Sequence, residues 1–187
     1  LYVSHVTGVG LANLFENWGY DREQAARLGA WSSFGLMNLM ELGDAFSRSY
    51  GFSYEDLVMN SLGSWWAYIR QTHPNVADRL DLRVEYSPGS DSKSDVFTDY
   101  ENTRYLMALK LAGFPRLRHS WLRHLELHVG YYSRGYEDQT NARRYSYLGI
   151  GFNLSRWLEH RKHKKTGALL RFIQIPGTSL RDDHSLD

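Results

Sequence analysis

The spacing of apolar residues changes near His73 and Pro74, and this change limits the folds open to the 187-residue chain. Before this point, apolar residues recur every three or four positions, which is typical of amphipathic helices. After it, they alternate with polar residues, most regularly over residues 80–87. Such alternation is typical of β-strands. Helices followed by strands predict an α+β fold with an antiparallel sheet.

Three helices are predicted in the first part of the chain, over residues 3–18, 21–49 and 53–73. Asp21 and Ser53 open the second and third helices, because their side chains are of the kind that cap helix N-termini. The third helix is expected to end before a proline, since the residue that precedes proline disfavours helical torsion angles.

Strands are predicted in the second part, over residues 80–87, 103–112, 122–132, 144–155 and 168–176. We therefore expect a helical bundle of about three helices over residues 1–76. An antiparallel sheet of about five strands is expected over residues 77–187, and the two halves are expected to pack as one domain.

Composition removes several classes of function. The formal net charge is +1, so the basic excess that usually marks a nucleic-acid-binding protein is missing from the sequence. The sequence has no cysteine, which excludes disulfides, cysteine-based zinc sites and cysteine nucleophiles. The N-terminal apolar stretches are shorter than the roughly 18–20 residues that cross a bilayer, and their lengths suit buried or interfacial helices.

Polar residues within the predicted helices are candidates for chemistry. Glu41 and Asp44 share one helix face, as do Asp56 and Asn60 on the next helix. If these faces meet near His5, the cluster is suited to a divalent cation, or to a carboxyl with a raised pKa that acts as a general acid or base. The alternative is a structural network. In it Asp56 caps its helix, Glu41 and Asp44 hold Arg48 or a neighbouring backbone N–H, and Asn60 forms a hydrogen bond between helices.

Two further groups of residues each allow two interpretations. His124, Glu126 and His128 supply zinc or iron ligands by type, but strand alternation predicts that they form a solvent-exposed face. The basic run at residues 160–165 suits either anionic lipid head groups or a solvated loop before the last strand.

A longer pattern carries a family resemblance. It runs from His5 through E-L-G-D-A-F-S at residues 41–47 to Y-G-F-S-Y-E-D-L-V-M-N-S-L-G at residues 50–63. This pattern resembles the predicted periplasmic lipoproteins of unknown function, the YfiM-like group. The helical half is more distantly similar to VanZ-like envelope proteins. Residues 99–106 and 129–131 resemble the second half of the YfiM-like group. Asp99, Tyr100 and Arg104, together with Asn60 in the helical half, are expected to bind a ligand.

The resemblance implies a place in the Gram-negative envelope, in the periplasm or at the outer membrane, and implies no particular reaction. The family's usual Asp-Lys pair before the first histidine is replaced here by residues 2–4, Tyr-Val-Ser. A lipid-bearing cysteine, if the protein carries one, is expected upstream of Leu1.

Three functions remain open. The first is a membrane-associated envelope protein that binds lipid or an outer-membrane protein. The second is a hydrolase of a lipid or envelope ester, which uses His5, Glu41, Asp44 and Asp56 or a metal. The third is a subunit of an outer-membrane assembly, joined through an exposed sheet edge. The first is preferred, because the sequence lacks a G-x-S-x-G nucleophile motif.

Overall fold

The computed structural model describes residues 1–45, 53–88, 99–135 and 142–187. It divides into two compact units, Leu1–Ala77 and Asp78–Asp187. The described residues of the first unit form helices, and those of the second form a six-stranded sheet with two short helices. The predicted α+β class, with helices before strands, is confirmed.

The helical unit contains α1 (Tyr2–Asn17), α2 (Arg22–Ala45), α3 (Tyr54–Thr72) and the short α4 (Pro74–Ala77). The predicted end of the second helix near residue 49 lies outside the described residues. Within the described ranges, no helix combines the length and hydropathy needed to cross a membrane.

The starts of α2 and α3 are capped as the sequence predicts. The Asp21 carboxylate accepts hydrogen bonds of 3.0 Å from the backbone N–H groups of Glu23 and Gln24. The Ser53 hydroxyl accepts a hydrogen bond of 3.1 Å from the backbone N–H of Asp56. These contacts satisfy N–H groups that the first turn of a helix leaves without a partner.

Small residues line the contacts between the three long helices. The buried positions include Gly8 and Ala12 on α1, Ala25 and Gly29 on α2, and Ala67 on α3. A Cβ atom on Gly29 would lie 2.6 Å from the backbone nitrogen of Ala12 and 2.6 Å from the carbonyl oxygen of Gly8. The backbones of α1 and α2 are therefore close enough to exclude a side chain at this position.

The sheet unit contains β1 (Leu80–Tyr86), β2 (Thr103–Lys110), β3 (Leu125–Arg134), β4 (Arg143–Phe152), β5 (Ile173–Gln174) and β6 (Ser179–Ser185). Their order is β5-β1-β2-β3-β4-β6. All neighbouring strands are antiparallel except β1 and β5, which pair in parallel, so the sheet is mixed.

The region after residue 153 departs from the prediction. Instead of a strand over residues 168–176, the chain forms α5 (Leu154–His160), α6 (Lys164–Leu169) and only then the two-residue β5. β6 was not predicted, because its sequence S-L-R-D-D-H-S lacks apolar alternation. It needs little of that alternation, because six of its seven residues are exposed and neither face of the strand is buried.

The sheet is curled. β5 and β6 occupy opposite edges, yet only residues 175–178 separate them. A flat six-stranded sheet places its edge strands about 24 Å apart, whereas five consecutive Cα–Cα steps span at most about 19 Å. The side chain of Arg181 on β6 also reaches Glu85 on β1, with a hydrogen bond of 2.9 Å. Curling makes one face of the sheet concave and shields that face from water.

The concave face is the polar one. Asp81, Arg83, Glu126 and His128 are at most 2% exposed. The opposite face displays large apolar side chains that are 40–84% exposed: Leu127, Val129, Leu148, Ile150 and Leu180. The expectation that Glu126 and His128 face solvent is therefore wrong. His124 does not share their strand, because it ends a 3₁₀ turn before β3.

The close approach of α1 and α2 generates a prediction. Gly29→Ala is expected to lower the free energy of unfolding by about 1–3 kcal/mol, because the new methyl group overlaps the α1 backbone. Urea denaturation followed by far-UV circular dichroism measures the change.

Gly35→Ala on the same helix is the matched control. Among the described residues, no atom would lie within 4 Å of the methyl group of an alanine at this position. The change is therefore expected to stabilise the protein by about 0.5–1 kcal/mol through helix propensity. Equal effects of the two substitutions would contradict the close packing at Gly29.

Candidate functional site

The structure places the predicted helical residues in different environments. His5 is fully buried on α1. Glu41, near the end of α2, accepts a hydrogen bond of 2.7 Å from the backbone N–H of Ser53. Asp56 is exposed in the first turn of α3. The side chain of Asp44 lies outside the described residues. Within the described part of the chain, no three His, Asp or Glu residues form a group suited to a metal ion.

Asn60 belongs to a chain of hydrogen bonds that joins the three long helices. Its side-chain oxygen accepts a hydrogen bond of 2.7 Å from the Ser4 hydroxyl. The Ser33 hydroxyl donates to the backbone carbonyl of Ser4 over 2.7 Å, and Ser64 lies 3.4 Å from Ser33. Ser33 belongs to a set of small residues between positions 29 and 35 from which a close helix contact is predicted, whereas Ser4 and Ser64 were not singled out from the sequence.

A groove of about 440 Å³ lies between α2 and α3 in the helical unit. Four aromatic side chains line it, with Ser61, Ser64, Ala30 and Arg27: Trp31, Phe34, Trp65 and Tyr68. Trp31 is 67% exposed and Trp65 is 59% exposed. The groove thus has aromatic walls that are open to solvent, and its described lining includes none of His5, Glu41 and Asp56.

The large apolar side chains of the helical unit lie mainly on its outer surface. Residues on α2 and α3 that are 43–66% exposed include Leu36, Leu39, Met40, Val58 and Leu62. The helix interfaces contain serine, glycine, alanine and the buried His5 instead. This arrangement is the reverse of that in most globular proteins in water, whose interiors contain the large apolar side chains.

In the sheet unit, Asp99 and Arg104 have structural partners. Asp99 is buried, accepts a hydrogen bond of 3.0 Å from the Tyr86 hydroxyl and caps the turn that holds Asn102. Arg104 donates to Glu85 over 2.9 Å. The third predicted binding residue, Tyr100, is 59% exposed.

The concave face of the sheet contains a buried ion-pair cluster: Asp81, Arg83, Lys110, Glu126 and His128. Arg83 contacts Glu126 at 2.5 Å and Asp81 at 2.9 Å, and Lys110 contacts Asp81 at 2.8 Å. Burial by itself lowers the pKa of Arg83, but the carboxylates of Glu126 and Asp81 outweigh burial and raise it. Two carboxylates and two cations thus neutralise one another where water is excluded.

His128 is held by the same cluster. Its Nε2 atom lies 3.1 Å from the Glu126 carboxylate, which favours the tautomer that carries the proton on Nε2. Its Nδ1 atom is buried and has no hydrogen-bond partner within the described residues. The imidazole lies against Gly151, whose missing side chain provides the space. A His–Glu pair of this kind orients a base in many enzymes, but here only 1% of His128 is exposed, so no substrate reaches it in this structure.

Tyr147 on β4 also lies on the concave face. It packs with Leu106 and Ala108 and is 2% exposed. Burial, together with the carboxylate of Glu85, raises the pKa of Tyr147 to about 12. The phenol therefore stays neutral in the folded protein at pH values where a free tyrosine ionises.

Comparison with known proteins identifies one family. Residues 1–72 match the family described as "Predicted periplasmic lipoprotein (DUF2279)". No curated protein and no solved structure matches the chain. The match covers the three long helices and confirms the resemblance carried by residues 5–63.

The match supports a periplasmic, cell-envelope location for this protein. It ends at residue 72, before the sheet unit begins. A relationship of the strands to the same family, and of the helices to VanZ-like proteins, stays a prediction.

The buried ion-pair cluster generates a stability prediction. Arg83→Met is expected to lower the free energy of unfolding by about 3–5 kcal/mol, because it leaves two buried carboxylates without their shared partner. Thermal and urea denaturation measure the loss. The control is Arg27→Met, which breaks a pair with Glu23 whose side chains are 61% and 66% exposed. Its cost is expected to stay under about 1 kcal/mol, and comparable losses in the two variants would contradict a central role for Arg83.

Tyr147 generates a pH prediction. Because its pKa rises from 10 to about 12 on folding, its stabilising effect is complete below pH 10 and is lost as pH rises towards 12. Over this window, the free energy of unfolding of the parent should therefore fall with pH more steeply than that of Tyr147→Phe. The two slopes are expected to differ by up to about 1.4 kcal/mol per pH unit.

Urea denaturation at several pH values measures both slopes. Tyr54→Phe, which removes a hydroxyl from a residue that is 74% exposed, is the control. A slope in Tyr147→Phe that matches the parent would argue against the raised pKa.

Proposed function

We propose that this cell-envelope protein associates with a membrane through its helical unit and binds lipid acyl chains there. One observation carries the proposal: small and polar residues fill the helix interfaces, while large apolar side chains cover the outside of the helices. In water this distribution is unfavourable, since burial of apolar area contributes about 25 cal/mol per Å². In contact with lipid tails it is favourable, because close packing of small residues and hydrogen bonds then hold the helices together.

The groove between α2 and α3 supports the choice of lipid as the ligand. Its walls are aromatic, and its volume of about 440 Å³ lies within the range of small-molecule binding sites. Trp31 and Trp65 at its opening are residues that favour the boundary between acyl chains and head groups. We infer that an acyl chain enters between these two side chains.

The helices are proposed to lie in the plane of the membrane surface. Their exposed apolar residues then enter the boundary between head groups and acyl chains, as those of interfacial amphipathic helices do. Leu39 and Met40, each 66% exposed near the end of α2, are expected to contribute to this insertion.

The sheet unit offers a second apolar surface. Val129, Leu148, Ile150 and Leu180 form an exposed patch on its convex face. Patches of this kind on proteins mark contacts with other proteins or with membranes. Contact with an outer-membrane protein, or membership of an outer-membrane assembly, is therefore the alternative proposal, and it would use this face.

The hydrolase proposal has less support. It requires a pocket where catalytic groups meet a substrate, and the described lining of the groove contains none of His5, Glu41 and Asp56. The Glu41 carboxylate already accepts a hydrogen bond from the backbone N–H of Ser53. The backbone N–H of Asp56 donates to the Ser53 hydroxyl as part of the helix cap.

Vesicle binding tests the proposed function. The purified chain is expected to co-sediment with phosphatidylglycerol and phosphatidylcholine vesicles that contain no other protein, with a blue shift of its tryptophan fluorescence. Trp31→Ala combined with Trp65→Ala should weaken binding at least about tenfold, since each buried aromatic ring contributes more than 1 kcal/mol.

Trp121→Ala is the matched control, because Trp121 is 70% exposed but lies in the sheet unit. It should leave binding within about twofold of the parent. Failure of the parent to bind protein-free vesicles would overturn the proposal and favour a protein partner instead. If Trp121→Ala weakens vesicle binding and the other tryptophan variant does not, the lipid contact lies in the sheet unit.

A further inference from the structure

A second cavity, of about 210 Å³, lies in the sheet unit where the end of β2 meets α5 and the segment after α6. Charged side chains dominate its lining. We call it the cationic cleft and define it by six residues: Asp78, Lys110, Arg118, Arg156, Glu159 and Arg171. None of them lines the groove in the helical unit, so the cleft is independent of the proposed acyl-chain site.

The charges of the cleft do not cancel. Arg118 lies 3.7 Å from Asp78, and Arg171 lies 2.8 Å from Glu159, so each of these pairs is close to neutral. Lys110 is paired with the buried Asp81 at 2.8 Å. Among the described residues, no carboxylate lies within ion-pair distance of Arg156. The cleft therefore carries a positive charge that the described part of the protein does not balance.

Arg156 also has an unused donor. Its Nε atom is buried and finds no hydrogen-bond acceptor among the described residues. A buried donor without a partner costs about 1–3 kcal/mol, more when the group is charged. That Nε atom is shielded by the protein itself, so the case for a ligand rests on the charge of Arg156, which lines the cleft without a nearby carboxylate among the described residues and favours a ligand that is an anion.

The base of the cleft is rigid. Asn153, which is 1% exposed, receives hydrogen bonds on its side-chain oxygen from the Ser155 hydroxyl at 2.9 Å and from the Arg156 backbone N–H at 3.1 Å. The Asn153 backbone N–H is itself bonded to the carbonyl of His124 over 2.7 Å. The backbone that carries Arg156 is thus fixed before any ligand arrives, which reduces the entropy lost on binding.

We propose that the cationic cleft binds a phosphate group. Three arginine side chains and one lysine side chain line a small space. The planar guanidinium group of arginine presents pairs of N–H donors that match the oxygens of phosphate in geometry and charge. A volume of about 210 Å³ is below that of sites for drug-sized molecules but accepts a phosphate with a short ester substituent. Phosphate of this kind occurs both in small soluble esters and in phospholipid head groups.

Titration of the full chain with inorganic phosphate and with glycerol 3-phosphate tests the soluble source. Isothermal calorimetry and ³¹P line broadening report binding. Arg156→Gln is expected to lower the affinity by about tenfold or more, since a hydrogen bond between charged groups is lost. Arg143→Gln, which removes an exposed arginine on β4 outside the cleft, is the control and should change affinity by less than twofold.

Arg118→Gln is the second variant, because nearly half of its side chain is exposed and its removal should leave the fold intact. It should also weaken phosphate binding, with an unchanged far-UV spectrum. Equal losses in Arg156→Gln and Arg143→Gln would overturn the proposal, because they would show only a general effect of net charge.

Vesicles test the lipid source. If Arg156→Gln weakens binding to phosphatidylglycerol vesicles more than Arg143→Gln does, while neither soluble phosphate binds, a lipid head group is the ligand and the proposal holds. If neither the soluble phosphates nor the vesicles distinguish Arg156→Gln from Arg143→Gln, the cleft does not bind phosphate. Loss of acyl-chain binding in the tryptophan variants would leave this result unaffected.

Discussion

The guanidinium of Arg83 connects three strands of the sheet unit through hydrogen bonds. It joins Asp81 on its own strand to Glu126 two strands away, and it also donates to Gln174 on β5 at 2.8 Å. A buried cation is costly unless carboxylates surround it, and buried carboxylates are equally costly without a cation. These contacts favour the register of the three strands that brings the charged groups together, and because the curl shields them from water, each charge requires its partner.

The sequence predicts the elements better than the direction in which they face. Asp21 and Ser53 indicate helix starts because capping is a local interaction. Alternation locates β1 to β4, but the same period of two fits a sheet with either face buried. The exposed Val129 and the buried Glu126 show which face is covered, and that depends on the curl between β5 and β6. The curl arises from pairing between distant strands, which no local pattern records.

The candidate sites were predictable to different degrees. The motif of residues 41–63 predicted a resemblance to a family of periplasmic lipoproteins, and the match over residues 1–72 confirms this resemblance. The aromatic groove was less evident, because Trp31 and Trp65 lie 34 positions apart and meet only when α2 packs on α3. Arg156 gave no signal in the sequence, since its importance comes from the absence of a nearby carboxylate in the described fold. The basic run at residues 160–165, for which lipid head groups and a solvated loop were both open, contains the end of α5, the connection between the two helices and the start of α6.

The positions of β5 and β6 affect how the sheet unit folds. Its two outer strands come from residues 173–185, whereas the charges they help to cover begin at residue 81. Pairing of β1 with β5 joins residues 89 positions apart, such as Val84 and Ile173, and is slow because loop closure precedes any gain from the contact. Until then the charged side chains of β1 and β3 stay hydrated, so the buried ion pairs form late in folding.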